Sequence, residues 1–132
     1  MLKTRDRLLK IARSVLKKAY CPYSKFHVGA ALITQDGKIF TGCNVENVSY
    51  GLTICAERVA IFNAISAGHN KFKAIAISSS NDKPVYPCGA CRQVMSEFVK
   101  DDKFVIFVDK DSKNYKMNDL LPHSFTEDLM SD

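Results

Sequence analysis

Two short stretches, Cys55-Ala56-Glu57 and Pro87-Cys88-Gly89-Ala90-Cys91, stand at the start of two segments with helical apolar spacing. The helices are predicted from Cys55 to about residue 67 and from Cys88 to about residue 100. An apolar, Ile-rich or aromatic run typical of a buried strand follows each helix, over residues 72–79 and 104–108. This alternation predicts that both helices pack on one shared sheet.

The amino-terminal segment predicts a further helix. Its apolar residues recur at helical spacing, with Lys and Arg between them. Thr4 is the candidate N-cap, and we expect the helix to end near Tyr20 because Pro22 follows. The apolar positions are Leu8, Ile11, Ala12, Val15, Leu16 and Ala19.

A hairpin is predicted next, because Asp36-Gly37 is a strong turn signal between strand-like residues 26–33 and 38–45. The tail adds a turn near Asp111 and a short strand or helix. The predicted fold class is α/β. We expect a single domain over residues 1–132, with a mixed β-sheet of about five strands sandwiched by α-helices in α-β-β-α-β-α-β order.

Composition and charge exclude several classes of protein. The 132 residues are 46% hydrophobic and 25% charged, as in soluble globular domains. The start is charged, and no apolar run approaches the roughly 20 residues of a membrane span, so we expect a cytoplasmic protein without a membrane partner. The net charge of +5 is scattered and forms no basic stripe, which argues against nucleic acid as a partner. Five cysteines without a secretion signal favour metal binding or burial over disulfides.

The spacing of three cysteines indicates a catalytic metal site. Cys88 and Cys91 alone are a weak signal, but Cys55 begins a second predicted helix. Catalytic zinc takes three protein ligands and keeps a fourth position open. Helix N-termini favour the thiolate form that zinc binds. Glu57 lies two residues beyond Cys55, where it is placed to act as general base and acid beside the open position.

Three thiolates around one Zn²⁺ leave a net charge of −1, so a positive group is expected nearby. Arg58 and Arg92 both adjoin the motifs. We hypothesise that Arg58 donates hydrogen bonds to thiolate sulfurs and compensates their charge. A structural zinc would need a fourth ligand from Cys21 or Cys43. We expect neither these cysteines nor the three histidines, His27, His69 and His123, to bind the metal.

The paired motifs follow the Cys-x-Glu and Pro-Cys-x-x-Cys pattern of zinc deaminases. Over nearly its whole length the chain resembles the small homotetrameric, zinc-dependent cytidine deaminases of the cytidine/deoxycytidylate deaminase family. The resemblance rests on residues 20–31, 42–47, 50, 55–58, 87–93 and 120–125.

This resemblance implies one Zn²⁺ per subunit, held by Cys55, Cys88 and Cys91, with Glu57 as the catalytic residue. The implied reaction is hydrolysis of free cytidine and deoxycytidine to uridine and deoxyuridine plus ammonia. It would use a zinc-bound hydroxide and a proton shuttle through Glu57. The implied role is pyrimidine salvage in a cytoplasmic hydrolase.

The resemblance also implies a substrate-binding set around a pyrimidine nucleoside. Asn44 and Glu46 would bind the ribose hydroxyls, with Val45 between them, and Phe26 would pack on the pyrimidine face. Backbone groups of Ala56 would read the base edge together with Glu57. In a homotetramer, neighbouring subunits would complete each site with Tyr50 and Phe125. His123 departs from the pattern, since a small residue is expected there.

Three alternatives stay open. A relative acting on another aminopyrimidine nucleoside, such as blasticidin S, is disfavoured by Glu46, which suits a sugar diol. A polynucleotide-editing deaminase fits the positive charge, but this compact chain has no insertion that would build a groove for a strand. The third alternative is a structural zinc or nucleoside-binding module without enzyme activity.

Overall fold

The computed structural model describes residues 2–130, so residues 1, 131 and 132 of the predicted domain lie outside the described part. The helices are α1 (Leu2–Ser14), α2 (Ala56–Ser66), α3 (Gly89–Phe98) and α4 (Met117–Leu120). The strands are β1 (Val28–Thr34), β2 (Ile39–Cys43), β3 (Phe72–Ser79), β4 (Val105–Val108) and β5 (Asn114–Lys116). The predicted α-β-β-α-β-α-β order is confirmed, and β5 and α4 follow it. Within residues 2–130 no helix has the length and apolar character needed to cross a bilayer.

One mixed sheet joins all five strands in the order β2-β1-β3-β4-β5. Strand β1 pairs antiparallel with both β2 and β3, and β5 pairs antiparallel with β4. Strands β3 and β4 are parallel, because the chain crosses over through α3 between them. Cys55 and Cys88 therefore directly precede helices that pack on one and the same sheet.

The core has two layers because alternate strand residues point to opposite faces of the sheet. On one face, α1 packs against Ala31, Ile33, Ala74, Ala76, Val105 and Phe107. On the other, α2 and α3 pack against Ala30, Leu32, Ile75, Ile77, Ile106 and Val108. The expected sandwich of the sheet between helices is confirmed.

The predicted bounds of the first helix are wrong at both ends. Helix α1 already includes Leu2, so Thr4 lies inside it and is not its N-cap. The Lys and Arg residues around Thr4 are good helix formers, which extends the helix upstream. A 3-10 turn over Leu16–Lys18 follows the end of α1 at Ser14, and Tyr20 then enters strand-like pairing. Its N–H donates to the Asn44 carbonyl at 2.9 Å, and its carbonyl accepts from the Glu46 N–H at 2.8 Å.

Two glycines allow the helices to approach the sheet closely. A Cβ atom on Gly29 would lie 2.3 Å from the Ala12 carbonyl oxygen of α1. A Cβ atom on Gly42 would lie 2.4 Å from both the Ala56 oxygen and the Ala60 nitrogen of α2. Since α2 begins directly after Cys55, Gly42 sets how deeply the first catalytic motif sits against the sheet.

Candidate metal centre and active site

The starts of α2 and α3 bring the three predicted cysteine ligands together. Cys55 and Cys88 are the N-cap residues of the two helices, and Cys91 lies in the first turn of α3. The Cys55 and Cys88 sulfurs are 3.7 Å apart, and those of Cys88 and Cys91 are 3.5 Å apart. All three ligand atoms lie within 4.8 Å of one another. Tetrahedral zinc with Zn–S bonds of about 2.3 Å needs sulfurs about 3.8 Å apart, so the cluster fits zinc.

The cluster favours a thiolate at Cys55. Hydrogen bonding from the Cys91 thiol, assisted by Arg58 and Cys88, lowers the pKa of Cys55 to about 5. The pKa of Cys91 is raised in turn, mainly by its hydrogen bond to Cys55 and by burial. A metal that binds thiolates thus meets one sulfur already disposed to lose its proton.

Arg58 and Arg92 have different roles in the structure. The Arg58 Nη2 donates to the Cys55 sulfur at 3.4 Å. Arg92 instead donates from Nε to the Pro87 carbonyl at 2.7 Å and from Nη1 to the Leu120 carbonyl at 2.8 Å. Of the two arginines adjoining the motifs, only Arg58 has a hydrogen bond to a ligand sulfur among the contacts of residues 2–130. Arg92 holds the backbone on either side of α3.

Glu57 is a buried carboxyl group in the first turn of α2, with only 4% of its surface exposed. Burial raises its pKa to about 7, and the negative charge of Cys55 acts in the same direction. Its side chain lines the same cavity as Cys55 and Cys88. A carboxyl group in this position is able to hold and release a proton beside the metal cluster.

The cavity in front of the cluster has a volume of about 330 Å³, at the lower end of the range for small-molecule sites. Several residues predicted to bind substrate line it beside the metal and catalytic groups. They are Phe26, Asn44, Glu46 and Ala56.

Asn44 and Glu46 also shape the loops around the cavity. The Asn44 amide accepts from the Val28 N–H at 2.9 Å and donates to the Phe26 carbonyl at 2.8 Å. The Glu46 Oε1 accepts backbone N–H bonds from Tyr23 and Ser24, each 3.1 Å long, and Oε2 accepts from the Ser24 hydroxyl. The Ser24 hydrogen bond lowers the pKa of Glu46, so this carboxylate stays charged at the cavity.

Three predicted substrate-binding residues do not line this cavity. The Val45 backbone pairs with Ile54 while its side chain is exposed. Tyr50 packs edge-on against Tyr23, with ring centroids 6.2 Å apart, at an adjacent depression. Phe125 is 60% exposed, and its carbonyl accepts from the Gln93 amide at 2.9 Å. The assignment of Tyr50 and Phe125 to a neighbouring subunit's site stays a prediction.

Sequence reasoning missed five residues of the cavity wall: Ser24, Val28, Thr53, Val85 and Tyr86. Ser24 and Val28 belong to the amino-terminal stretch of the resemblance, and Tyr86 directly precedes Pro87. His123, where a small residue is expected, has a φ of +66°, a backbone conformation that favours glycine.

Comparison with known families decides where the chain belongs. The family described as the cytidine and deoxycytidylate deaminase zinc-binding region matches residues 2–108. The chain belongs to the cytidine and deoxycytidylate deaminase family. Zinc is therefore the metal of the three-cysteine cluster.

Individual cytidine deaminases match almost the whole chain. That of Halalkalibacterium halodurans is 46% identical over 130 residues, which cover 97% of this chain and 98% of the relative. That of Sporosarcina psychrophila is 43% identical over 128 residues, covering 96% and 94%. The crystal structure of cytidine deaminase from Burkholderia pseudomallei superposes with a TM-score of 0.85 at 48% identity, covering 91% of this chain and 98% of that one. The mixed five-stranded fold is thus that of the cytidine deaminases.

Proposed function

We propose that this chain catalyses the hydrolytic deamination of free cytidine and deoxycytidine to uridine and deoxyuridine, with release of ammonia. One observation carries the proposal: the buried Glu57 carboxyl and the Cys55 and Cys88 sulfurs face one cavity of nucleoside size. The 46% identical relative is named a cytidine deaminase, which supports the same substrate class.

The residues divide the reaction between binding and proton transfer. When bound at the three sulfurs, zinc supplies a Lewis acid that activates water for attack on C4 of the base. Glu57 takes a proton from that water and delivers one to ring N3, which makes C4 more electrophilic. After attack, Glu57 passes a proton to the departing amine, which leaves as ammonia. Phe26 packs on the pyrimidine, while the Ala56 backbone orients its edge.

The ribose end of the cavity is proposed at Asn44 and Glu46. Each keeps hydrogen-bonding capacity beyond its contacts with the chain: Asn44 has a second amide N–H, and the Glu46 Oε2 has one further lone pair. Their backbone contacts hold both side chains in place before the nucleoside arrives. Such preorganisation reduces the ordering cost of binding.

We also propose that Arg58 compensates the negative charge of the cluster. Its 3.4 Å contact with the Cys55 sulfur places a fixed positive charge beside a ligand. Its Nε atom is buried and has no partner within residues 2–130, so it is free to donate to a further group when the site is loaded. Reduced thiolate charge keeps the metal an effective Lewis acid.

The proposed assembly is a homotetramer in which neighbours complete each site. Exposed apolar side chains border the cavity loops and form the carboxyl-terminal tail, among them Val48, Tyr50, Leu52, Phe125, Leu129 and Met130. Such groups mark interaction surfaces when they lie together. If Phe125 acts in a neighbour's site, mixing Phe125→Ala with Glu57→Gln chains restores activity that neither variant has alone. Failure of the mixture to regain activity, with tetramers formed, contradicts a shared site.

The wider setting is proposed as well. We place the protein in the cytoplasm, since none of its five cysteines is in a disulfide and reducing compartments preserve unpaired cysteines. Residues 1–132 would form one catalytic domain that serves pyrimidine salvage.

A substrate panel tests the proposed function. Purified protein is incubated with cytidine, deoxycytidine, blasticidin S and a cytosine-containing single-stranded DNA, and the products are separated by chromatography. We expect deamination of the two free nucleosides, with much slower or no reaction of the other two. Preferential reaction of blasticidin S or of the oligonucleotide would replace the proposed substrate, and zinc binding without any deamination would indicate a binding module.

A further inference from the structure

The loop between β3 and α3 forms one wall of the cavity and ends at the ligand Cys88. Val85 and Tyr86 of this loop line the cavity, and the Tyr86 side chain is 40% exposed. Loops lack the internal hydrogen bonds of helices and strands, so contacts with neighbouring elements must fix their position. In this loop Ser80 bonds to His27 and Pro87 bonds to Arg92, and the turn between β4 and β5 supplies further contacts between these two points.

Two contacts join the loop to that turn. The Tyr86 hydroxyl donates to the Asp111 Oδ2 at 2.5 Å, and the Tyr115 hydroxyl donates to the same oxygen at 2.5 Å. The two rings meet at 90° with centroids 5.8 Å apart. At the other end of the loop, the Lys110 ammonium donates to the Asn81 carbonyl. The loop is therefore attached to the turn at both of its ends.

The turn is itself anchored to the rest of the fold. The Asp111 Oδ1 accepts from the Lys113 N–H at 2.9 Å, which closes the turn. Arg5 of α1 donates from Nη2 to the Asp111 carbonyl at 2.5 Å and from Nη1 to the Asn114 side chain at 2.8 Å. Asp111 thus connects Tyr86 to α1 and to the edge strand β5.

The Asp111 carboxyl group accepts these hydrogen bonds in its charged form. Hydrogen bonds from Tyr115 and Tyr86 lower its pKa to about 2. Hydrogen bonds to a charged acceptor are shorter and stronger than those between neutral groups. A hydrogen bond from a phenol hydroxyl to a charged acceptor therefore restricts the orientation of the aromatic ring.

We propose that Asp111 is a positioning residue for the nucleoside: through the Tyr86 hydroxyl it fixes the aromatic wall of the substrate cavity. This inference rests on the proposed function, because it assigns a role in binding the same substrate. Asp111 itself does not line the cavity. Within residues 2–130 neither residue has a hydrogen bond to Glu57 or a ligand sulfur, so the expected effect is on substrate affinity and not on the chemical step.

The test uses steady-state kinetics of the zinc-loaded protein with cytidine. Asp111→Asn keeps an oxygen for the Lys113 N–H but replaces the charged acceptor of the phenols with an amide. Tyr86→Phe removes the same hydrogen bond from the other side and keeps the ring. Each is expected to raise KM about fivefold to tenfold with kcat within about twofold, the size of one ordinary hydrogen bond. The double variant should raise KM no further than either single variant.

Asp101→Asn is the matched control. Asp101 accepts an N–H bond from the residue two positions on, Lys103, as Asp111 does from Lys113, but it does not contact the loop. Its KM should equal that of the wild type. Zinc content and thermal unfolding are measured for every variant, and Tyr86→Phe alone decides the question if Asp111→Asn does not fold.

The outcomes separate this inference from the proposed function. Wild-type protein that leaves cytidine unchanged overturns both. Wild-type turnover with an unchanged KM in Asp111→Asn or Tyr86→Phe overturns the positioning role alone, and so does a double variant whose KM effects multiply.

Discussion

Replacing Gly42 with Ala should push the start of α2, and with it the metal ligand Cys55, away from the sheet. The added methyl carbon would lie 2.4 Å from the Ala56 oxygen and the Ala60 nitrogen, both backbone atoms of α2. Ordinary carbon contacts need about 3.4 Å, so the start of α2 must retreat by about 1 Å. That movement shifts Cys55 and Glu57 relative to α3. We expect a loss of about 1–3 kcal/mol in the free energy of unfolding and a fall of about 100-fold in kcat/KM.

Gly29→Ala provides the matched control, because its Cβ would lie 2.3 Å from the Ala12 oxygen of α1 on the opposite face of the sheet. It should cost similar stability and leave kcat/KM within about threefold of the wild type, since the clash is with α1, which contributes no residue to the cavity wall. The assay combines urea unfolding, zinc content per chain and cytidine turnover. Equal kcat/KM values in the two variants, at comparable loss of stability, would refute the idea that the approach of α2 sets the site geometry.

Three further predictions test single groups. Glu57→Gln should lower kcat by at least about 10²–10⁴-fold with zinc content unchanged, and near-normal turnover would remove Glu57 from its proposed role. Arg58→Ala should weaken zinc retention against a chelator, or lower kcat, by about tenfold, and unchanged values of both would end the charge-compensation proposal. Asp109→Asn removes the charge and one of the two oxygens that accept bonds of 2.6 Å and 2.9 Å from Arg13 and one of 2.7 Å from Ser78. The Arg13 hydrogen bonds lower the pKa of Asp109, so its contribution is present above the unfolded pKa near ~4 and is lost as pH falls through the folded value. The variant should therefore lose about 1–2 kcal/mol of unfolding free energy at pH 7, and its difference from the wild type should shrink as pH falls below the unfolded pKa of about 4. A difference that stays constant with pH would show that Asp109 acts without its charge.

The sequence predicts the fold well where local signals agree with tertiary packing. The Asp36-Gly37 turn and the two motif-bearing helices lie where periodicity and turn chemistry place them. The first helix shows the limit of such signals. The predicted end near Tyr20 overlooks that Tyr20 pairs through its backbone with Asn44 and Glu46, which are distant in sequence, and helical spacing carries no information about such pairing.

In the site, too, local motifs are predictable from the sequence and contacts between distant residues are not. The ligands and Glu57 form short motifs at helix starts, so spacing alone brings them to notice. The preference of the cluster for Arg58 over Arg92 depends on side-chain direction, which the sequence leaves open. The Tyr86 hydroxyl bonds to Asp111, which lies 25 positions away in the sequence. Contacts between residues so far apart in the sequence leave no periodic pattern from which they could be predicted.

The most direct test of the account follows conversion of cytidine to uridine by absorbance, with purified protein before and after treatment with a zinc chelator. We predict turnover that the chelator abolishes and that added Zn²⁺ restores. Zinc-loaded protein that forms no uridine, or turnover that persists after the metal is shown to be removed, would contradict the assignment of this cavity as a zinc-dependent deaminase site.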